Sequence, residues 1–433
     1  MKQYFPDPPA FRHYEPRRVV GGKTMAEHLR FAMCYWHTMR GTGADPFGMP
    51  TMLREWERAS EPMQRTRETM DAAFELMRKL KIGFWTFHDR DIAPEGSSFA
   101  ETVKHLEAMT KYADEKQRSS GVKLLWGTAS LFSHPRYMSG AASNPDPHVF
   151  AYAAAQVKHA MEATHALGGA GFVFWGGREG YETLLNTDMQ REREQYARFL
   201  RMAAEHAASI GFTGQLYIEP KPKEPTVHQY DSDAEACLNF LREFDLLDKL
   251  KLNIETNHAT LAGHSMVHEL RVARLAGALG SIDANVGDEL LGWDTDQFAT
   301  DVRLTTGIML EVLRMGGFKT GGLNFDAKVR RQSVEPIDLM HAHVGSMDAF
   351  GLGLIVADAL MRDGELEKFV RERYAGWESE LGRKVLGGNA TLADCEAYIA
   401  KNGEPALRSG RQEMLENIVA RATHGRAPQR TND

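Results

Sequence analysis

The sequence predicts a closed (β/α)₈ barrel, an α/β fold, with an N-terminal extension and a helical, extended C-terminal arm. Three observations predict it. Eight short β-type segments alternate with stretches of helical periodicity. Several helical stretches run into glycine before the next strand. Four strand segments in succession stop on a carboxylate. Eight alternations favour a closed parallel barrel over an open sheet, and in such a barrel chemistry sits at the C-terminal ends of the strands.

The strand segments are 31–36, 83–87, 122–126, 171–175, 215–219, 251–255, 279–283 and 322–326. Between them, residues 71–80, 152–163 and 195–208 carry helix-forming residues with apolar positions at helical spacing. Gly168, Gly211 and Gly316 follow helical stretches as stop signals. Residues 1–30 carry proline and charge without a barrel unit and read as an extension. The barrel spans 31–375, with a further helix over 365–374. Residues 376–433 form an arm too polar to bury itself on its own barrel and suited to a neighbouring subunit. The last ten or so residues read as a loosely ordered terminus.

Composition narrows the class. The chain has 433 residues, a hydrophobic fraction of 42% and a charged fraction of 26%, as in ordinary globular proteins. A net charge of -7 argues against a nucleic-acid partner. Cys34, Cys237 and Cys395 show no metal or redox spacing and read as buried core thiols in a reducing compartment. No apolar leader and no run of about 18 apolar residues is visible, so no membrane partner is expected and a cytoplasmic location is.

The acidic strand ends are Glu219, Glu255, Asp283 and Asp326. One acid at a strand end is usually a turn or cap residue. Four on sequential strands form a ring that repels itself unless cations sit inside it. Loops add His258, three residues past Glu255, and Asp294 with Asp296. Six carboxylates and one imidazole suit Mg²⁺, with Mn²⁺ or Co²⁺ able to substitute. A bridging Glu255 divides the set in two. Glu219, Glu255, Asp283 and Asp326 form one site. Glu255, His258, Asp294 and Asp296 form the other. Lys221 lies two residues past Glu219 between Pro220 and Pro222, so an amine and an acid are held side by side. The alternative for that pair is a weak surface ion pair. Across the barrel, His88 and Asp91 have the spacing of an acid–base pair, or of a structural histidine bonded to its nearest acid. Trp126, Phe132 and Trp175 end or follow strands, as core or as a dry wall. His264 reads as packing or support.

Together these motifs closely resemble the xylose isomerase family in its longer, class II form. The resemblance rests on Phe87–Glu95, Phe174–Glu182, Ile218–Pro222, Glu255–Thr260, Gly292–Phe298 and Asn324–Arg331, in that order along residues 30–375. It implies a homotetramer, a dimer of dimers, that interconverts D-xylose and D-xylulose and usually D-glucose and D-fructose. It implies ring opening by His88 with Asp91, then a 1,2-hydride shift assisted by two divalent cations. Lys221 then stabilises the sugar O1. The four strand-end acids hold the cation bound to O2 and O4, and the second set holds the catalytic one. Trp175, Phe132, Trp126, Phe47 and Thr86 are the sugar-contacting candidates. Phe47 belongs to a loop that the family sends into the neighbouring subunit's site, and the Glu224–Pro225 bond matches a cis peptide. One departure is Met39–Gly43, where many relatives carry an aromatic that lines the pocket. No G-x-G-x-x-G dinucleotide fingerprint is present. The competing classes are a metal-dependent, phosphodiesterase-like hydrolase, which would need more histidines and a basic groove, and a sugar-binding protein, which has no use for Lys221 beside two metals.

Overall fold

The computed structural model describes residues 3–424. Eight parallel strands close into a barrel: β1 (Ala32–Cys34), β2 (Phe84–His88), β3 (Lys123–Thr128), β4 (Gly171–Trp175), β5 (Gln215–Glu219), β6 (Leu250–Glu255), β7 (Leu279–Asp283) and β8 (Leu323–Phe325). Each pairs with the next, and β8 returns to β1. The strands read as apolar runs because both faces are buried, one by the barrel interior and one by helices.

The barrel helices are α1 (Pro62–Leu80), α2 (Phe99–Ser120), α3 (Pro147–Ala166), α4 (Met189–Ser209), α5 (Ala234–Glu243), α6 (Met266–Leu275), α7 (Val302–Arg314) and α8 (Pro336–Asp363). Most start on a side-chain cap: Ser98, Asp146, Asp188, Asp233, Ser265 and Asp301 each accept a first-turn amide. Gly168 and Gly211 follow their helices at φ 67° and 70°, left-handed values that a side chain resists.

Two boundaries differ from the sequence expectation in a way that matters. The segment expected as a strand over 31–36 pairs only through Cys34, and Tyr35–Arg40 turns into a short helix across the rim. Strand β8 stops at Phe325, so Asp326 stands one residue beyond it. The N-terminal extension packs beneath the barrel. The amides of Arg12, His13 and Tyr14 donate to Asp348, and Tyr14 meets Phe31, which stacks on Phe325 at 4.9 Å.

Helix α8 corrects a second expectation. It is long and apolar enough to cross a membrane, with a mean hydropathy of 1.5 over 18 residues. Histidines, Gly345 and Asp348 interrupt the run, so no continuous apolar stretch shows in the sequence. Because 67% of that window is buried, α8 is a core helix of the barrel wall.

Past α8 run α9 (Glu365–Tyr374), α10 (Glu380–Leu386), α11 (Leu392–Asn402) and α12 (Gln412–His424). Leu386, Leu392 and Leu407 are exposed, but Ile418, Val419 and Ala422 of α12 pack back on the barrel core. The arm thus partly buries itself on its own barrel, because α12 is amphipathic and the polar composition before it hides that face. Cys34 and Cys237 are buried as expected, whereas Cys395 is half-buried on α11. The terminus expected to be loosely ordered falls largely outside the described residues.

Candidate active site

Strand register builds the site. Trp175 pairs with Glu219, Glu255 with Asp283, and Asp283 with Asn324, so the strand ends stand at one level. Glu219, Glu255, Asp283 and Asp326 each direct an oxygen into a space where all four lie within 4.8 Å of one another. Glu255, Asp294 and Asp296 make a second such group. His258 Nε2 joins it, 3.2 Å from Glu255 Oε2 and 3.1 Å from Asp294 Oδ2. The structure therefore gathers all seven residues around a shared Glu255. Asp294 and Asp296 arrive on the loop after β7. Its backbone is held where Val286 pairs with Gln297 and Lys328 N–H donates to Asp296 O at 2.7 Å. Asp296 has φ 44°, a left-handed value that aspartate tolerates better than most residues.

Crowding in a buried space raises the proton affinity of Glu219, Glu255 and Asp326. Burial, then Asp283 and Asp326, hold Glu219 well above the usual carboxylate range. Burial with Asp294, Asp326 and Asp296 does the same to Glu255, and burial with Asp283 and Asp296 to Asp326. Burial pushes Asp283 up to about 6, against the hydrogen bonds from Asn324 and Asn253. Asp296 is the exception: burial raises it, but Lys328 and His37 outweigh that and hold it well below the usual range. Lys221 Nζ lies 2.7 Å from Asp294 Oδ2; burial disfavours its charge, and Asp294, Asp296 and Glu255 more than restore it.

A divalent cation fits this donor set. Carboxylates supply hard oxygens, and the one imidazole is prepared for ligation. His258 Nδ1 lies 2.9 Å from Pro220 O, which makes Nδ1 the donor and leaves the Nε2 lone pair facing the acids. Burial lowers the proton affinity of that ring, favouring the neutral form a ligand needs. Amides orient the acids: Asn253 Nδ2 donates to Glu219 and Asp283, Asn324 Nδ2 to Asp283, and Asn285 Nδ2 to Glu255.

Five of the acids, all but the fully buried Asp283, form one side of a cavity of about 300 Å³. Trp126, Phe132, Val173 and Trp175 form another, with His88 beside them. Phe132 and Trp175 meet edge to face at 4.5 Å. His88 Nδ1 lies 2.9 Å from Asp91 Oδ2, and its ring packs against Trp36 and Phe132 at 4.4 and 5.4 Å. Lys221 Nζ sits 5.3 Å over the Trp175 ring, where the two sides meet. The loop carrying Phe132 is pinned from β4's own loop: Arg178 Nε donates to Phe132 O, and buried Glu179 accepts the amides of Ala141, Ala142 and Ser143. The Glu224–Pro225 bond is cis, as the resemblance implies.

Two sugar-contacting candidates stand elsewhere. Thr86 is fully buried beneath the cavity and donates to Asn324 Oδ1 at 2.8 Å, because its position on β2 lies two residues below the rim residue His88. Phe47 is 81% exposed, packs on Trp293, and does not line this chain's own cavity. Residues the sequence reasoning missed are His37, Trp36, Lys328 and the three asparagines. His37 Nε2 lies 3.1 Å from both Asp296 and Asp326; Trp36 Nε1 donates to Asp326 at 2.8 Å; and Lys328 Nζ donates to Asp296 at 2.8 Å. Placing 31–36 in a strand concealed the first two. The asparagines carry a signal: Asn253, Asn285 and Asn324 each stand two residues from a rim acid, on the same side of extended chain.

Comparison with known proteins identifies the family. Residues 127–292 match the family described as xylose isomerase-like TIM barrel, and residues 370–423 match the XylA2 C-terminal domain. The chain is 57% identical over 414 residues to a xylose isomerase of Rhodopirellula baltica, covering 95% of this chain and 94% of that one. It is 55% identical to the xylose isomerase of Caldanaerobacter subterraneus subsp. yonseiensis and 54% identical to that of Escherichia coli, each over 95% of this chain and 94% of the relative. Among solved structures, a putative xylose isomerase from Rhodospirillum rubrum superposes with a TM-score of 0.52 at 13% identity, over 74% of this chain and 98% of that one, which speaks for the fold. With identity above half across nearly its whole length, this chain belongs to the xylose isomerase family.

Proposed function

We propose that this chain is an aldose–ketose isomerase that interconverts D-xylose and D-xylulose, with D-glucose and D-fructose as a second substrate pair. The observation that carries the reading is a single cavity with opposed linings. Six of the seven potential ligands and Lys221 line one side, with Asp283 buried behind them, and aromatics with His88, backed by Asp91, line the other. A hydrolase would use a polar, water-accessible cleft with more histidines. No redox cofactor is needed, because hydride leaves C2 and arrives at C1 of the same molecule.

Each side chain has a definable task. Asp91 holds the proton of His88 on Nδ1, so Nε2 is free to move a proton between the anomeric hydroxyl and the ring oxygen and open the ring. Trp126, Phe132 and Trp175 exclude water from the open-chain sugar. Lys221 Nζ donates to the oxygen at C1 as charge develops there. Two divalent cations, Mg²⁺ with Mn²⁺ or Co²⁺ as substitutes, are held by the sets that share Glu255 and supply Lewis-acid stabilisation of the two sugar oxygens. A homotetramer is part of the proposal. The exposed Phe47 and the exposed leucines of the arm support it. A cytoplasmic location is also part of it, supported by cysteines that are all unpaired.

The test is direct. The protein incubated with D-xylose and Mg²⁺, Mn²⁺ or Co²⁺ should form ketopentose. Chelation should abolish this and metal should restore it. Full activity after exhaustive chelation, or no ketose with any of the three metals, would overturn the proposal.

A further inference from the structure

A second group of ligating side chains lies outside the barrel mouth. His264 follows the short helix Thr256–Leu261, which carries His258, and His268 and Glu269 stand in the first turn of α6. One atom from each of the three lies within 4.8 Å of the others. The two imidazoles face each other at 4.9 Å. Neither histidine lines the sugar cavity, and neither has a part in the proposed isomerisation.

Glu269 supplies an independent observation. Its side chain is buried at 2% exposure, yet it stands beside two half-exposed or exposed rings. Its Oε2 accepts the amide of Ala234 at the start of α5, at 2.7 Å, while its Oε1 is buried without a hydrogen-bond partner. A buried carboxylate oxygen left bare is costly. Asp233 adds a further oxygen: its Oδ1 caps α5, and its Oδ2 lies 3.7 Å from His264 Nε2. Ligand atoms on a tetrahedral zinc stand about 3.3 Å apart, so such a separation needs little adjustment.

We propose that His264, His268 and Glu269, flanked by Asp233, form a peripheral site for a borderline transition-metal dication such as Zn²⁺. Two imidazoles with a carboxylate disfavour Mg²⁺ and suit zinc. The positive ends of α5 and α6 oppose a cation there, which is why the two carboxylates matter. A bound ion would clip the segment after His258 to α5 and α6. It would stabilise the folded chain by mass action without entering the chemistry.

The experiment compares the full-length, Mg²⁺-saturated protein with the His264→Ala/His268→Ala double variant and with Glu269→Gln. Each is dialysed against Zn²⁺, then assayed for metal content, for the rise in Tm with Zn²⁺ and for sugar turnover in Mg²⁺ alone. The double variant should retain about one Zn²⁺ fewer per chain and lose the Zn²⁺-dependent rise in Tm. Glu269→Gln should bind that zinc at least about tenfold more weakly. Turnover in Mg²⁺ should be unchanged in both, which separates this site from the catalytic one. Zinc entering the catalytic site affects all three proteins alike and cancels in the comparison. If the double variant proves unstable, exposed His268→Ala alone serves. Zinc content and Tm response equal to those of the parent would overturn the proposal.

Discussion

The two halves of the barrel rim are built to opposite rules. Strands β5 to β8 end in Glu219, Glu255 and Asp283, with Asp326 just beyond. Strands β1 to β4 end in Cys34, His88, Thr128 and Trp175. One half concentrates negative charge in a buried space, and amides, Lys221 and Lys328 keep it ordered. The other half sets the His88–Asp91 pair among aromatic rings. The difference teaches that the proposed chemistry needs both: fixed charge where the oxygens sit, and a water-poor wall where a hydride crosses. Neither half is a site alone, because charges in an open cleft are screened and a dry wall stabilises nothing.

Removing the residue shared by both acidic groups should break the charged half most completely. For Glu255→Gln we expect loss of divalent-metal binding by calorimetry and a fall in kcat/KM of at least about a thousandfold, since metal stabilisation is worth several kcal/mol. Next comes the residue at the junction. Lys221→Met should keep metal binding and lower kcat by about a hundred- to a thousandfold, the cost of one donor to a developing oxyanion. A near-normal kcat would remove Lys221 from its role.

On the opposite half, His88→Gln should cost about a hundredfold by slowing ring opening. It should also erase the rate difference between xylose and its C2-deuterated form, because hydride transfer would no longer limit turnover. A preserved isotope effect would show that His88 serves the transfer step instead. Smaller effects are expected from the wall itself. Phe132→Leu should alter kcat by about tenfold or less, while metal affinity stays unchanged, a split that a variant of a metal-ligand residue cannot produce.

The smallest effect lies at the seam between the halves. Buried Asp231 lies against Gly176 of β4's loop, accepts the Tyr196 hydroxyl, and has one unpartnered oxygen. Burial pushes its carboxyl up to about 8, from an ordinary value of 3.8. Its folded-state affinity for a proton is raised, so its contribution to stability is present below 3.8 and is lost as pH rises through 8. Between pH 5 and 8 the Tm of the native chain should therefore fall on the order of several degrees more than that of Asp231→Asn. Parallel pH profiles of Tm would contradict this.

Much of the charged half was legible because the relevant residues mark strand ends. Glu219, Glu255 and Asp283 break apolar runs where a barrel strand must stop, and the D-x-D of Asp294 and Asp296 follows in the loop after β7. The aromatic half was legible as residue types, less so as positions. Thr86 shows why: a strand residue two places from the rim is buried beneath it. Trp36 and His37 were hidden for another reason. The β-prone run 31–36 breaks into helix after Cys34, and only the tertiary position of that short helix brings both rings over the acids.

By itself the sequence determined the alternation of strands and helices, the acids that end half of the strands, and the pairing of His88 with Asp91. Those follow from hydrophobic period and local spacing, which act within a few residues. Only closure of the barrel decided that Glu219 and Asp326, far apart in the chain, share one space with Glu255. Only the register between strands decided which oxygens face inward, and only loop packing set Lys221 between Asp294 and Trp175. The physical reason is that burial and electrostatic coupling depend on distances that local sequence does not carry.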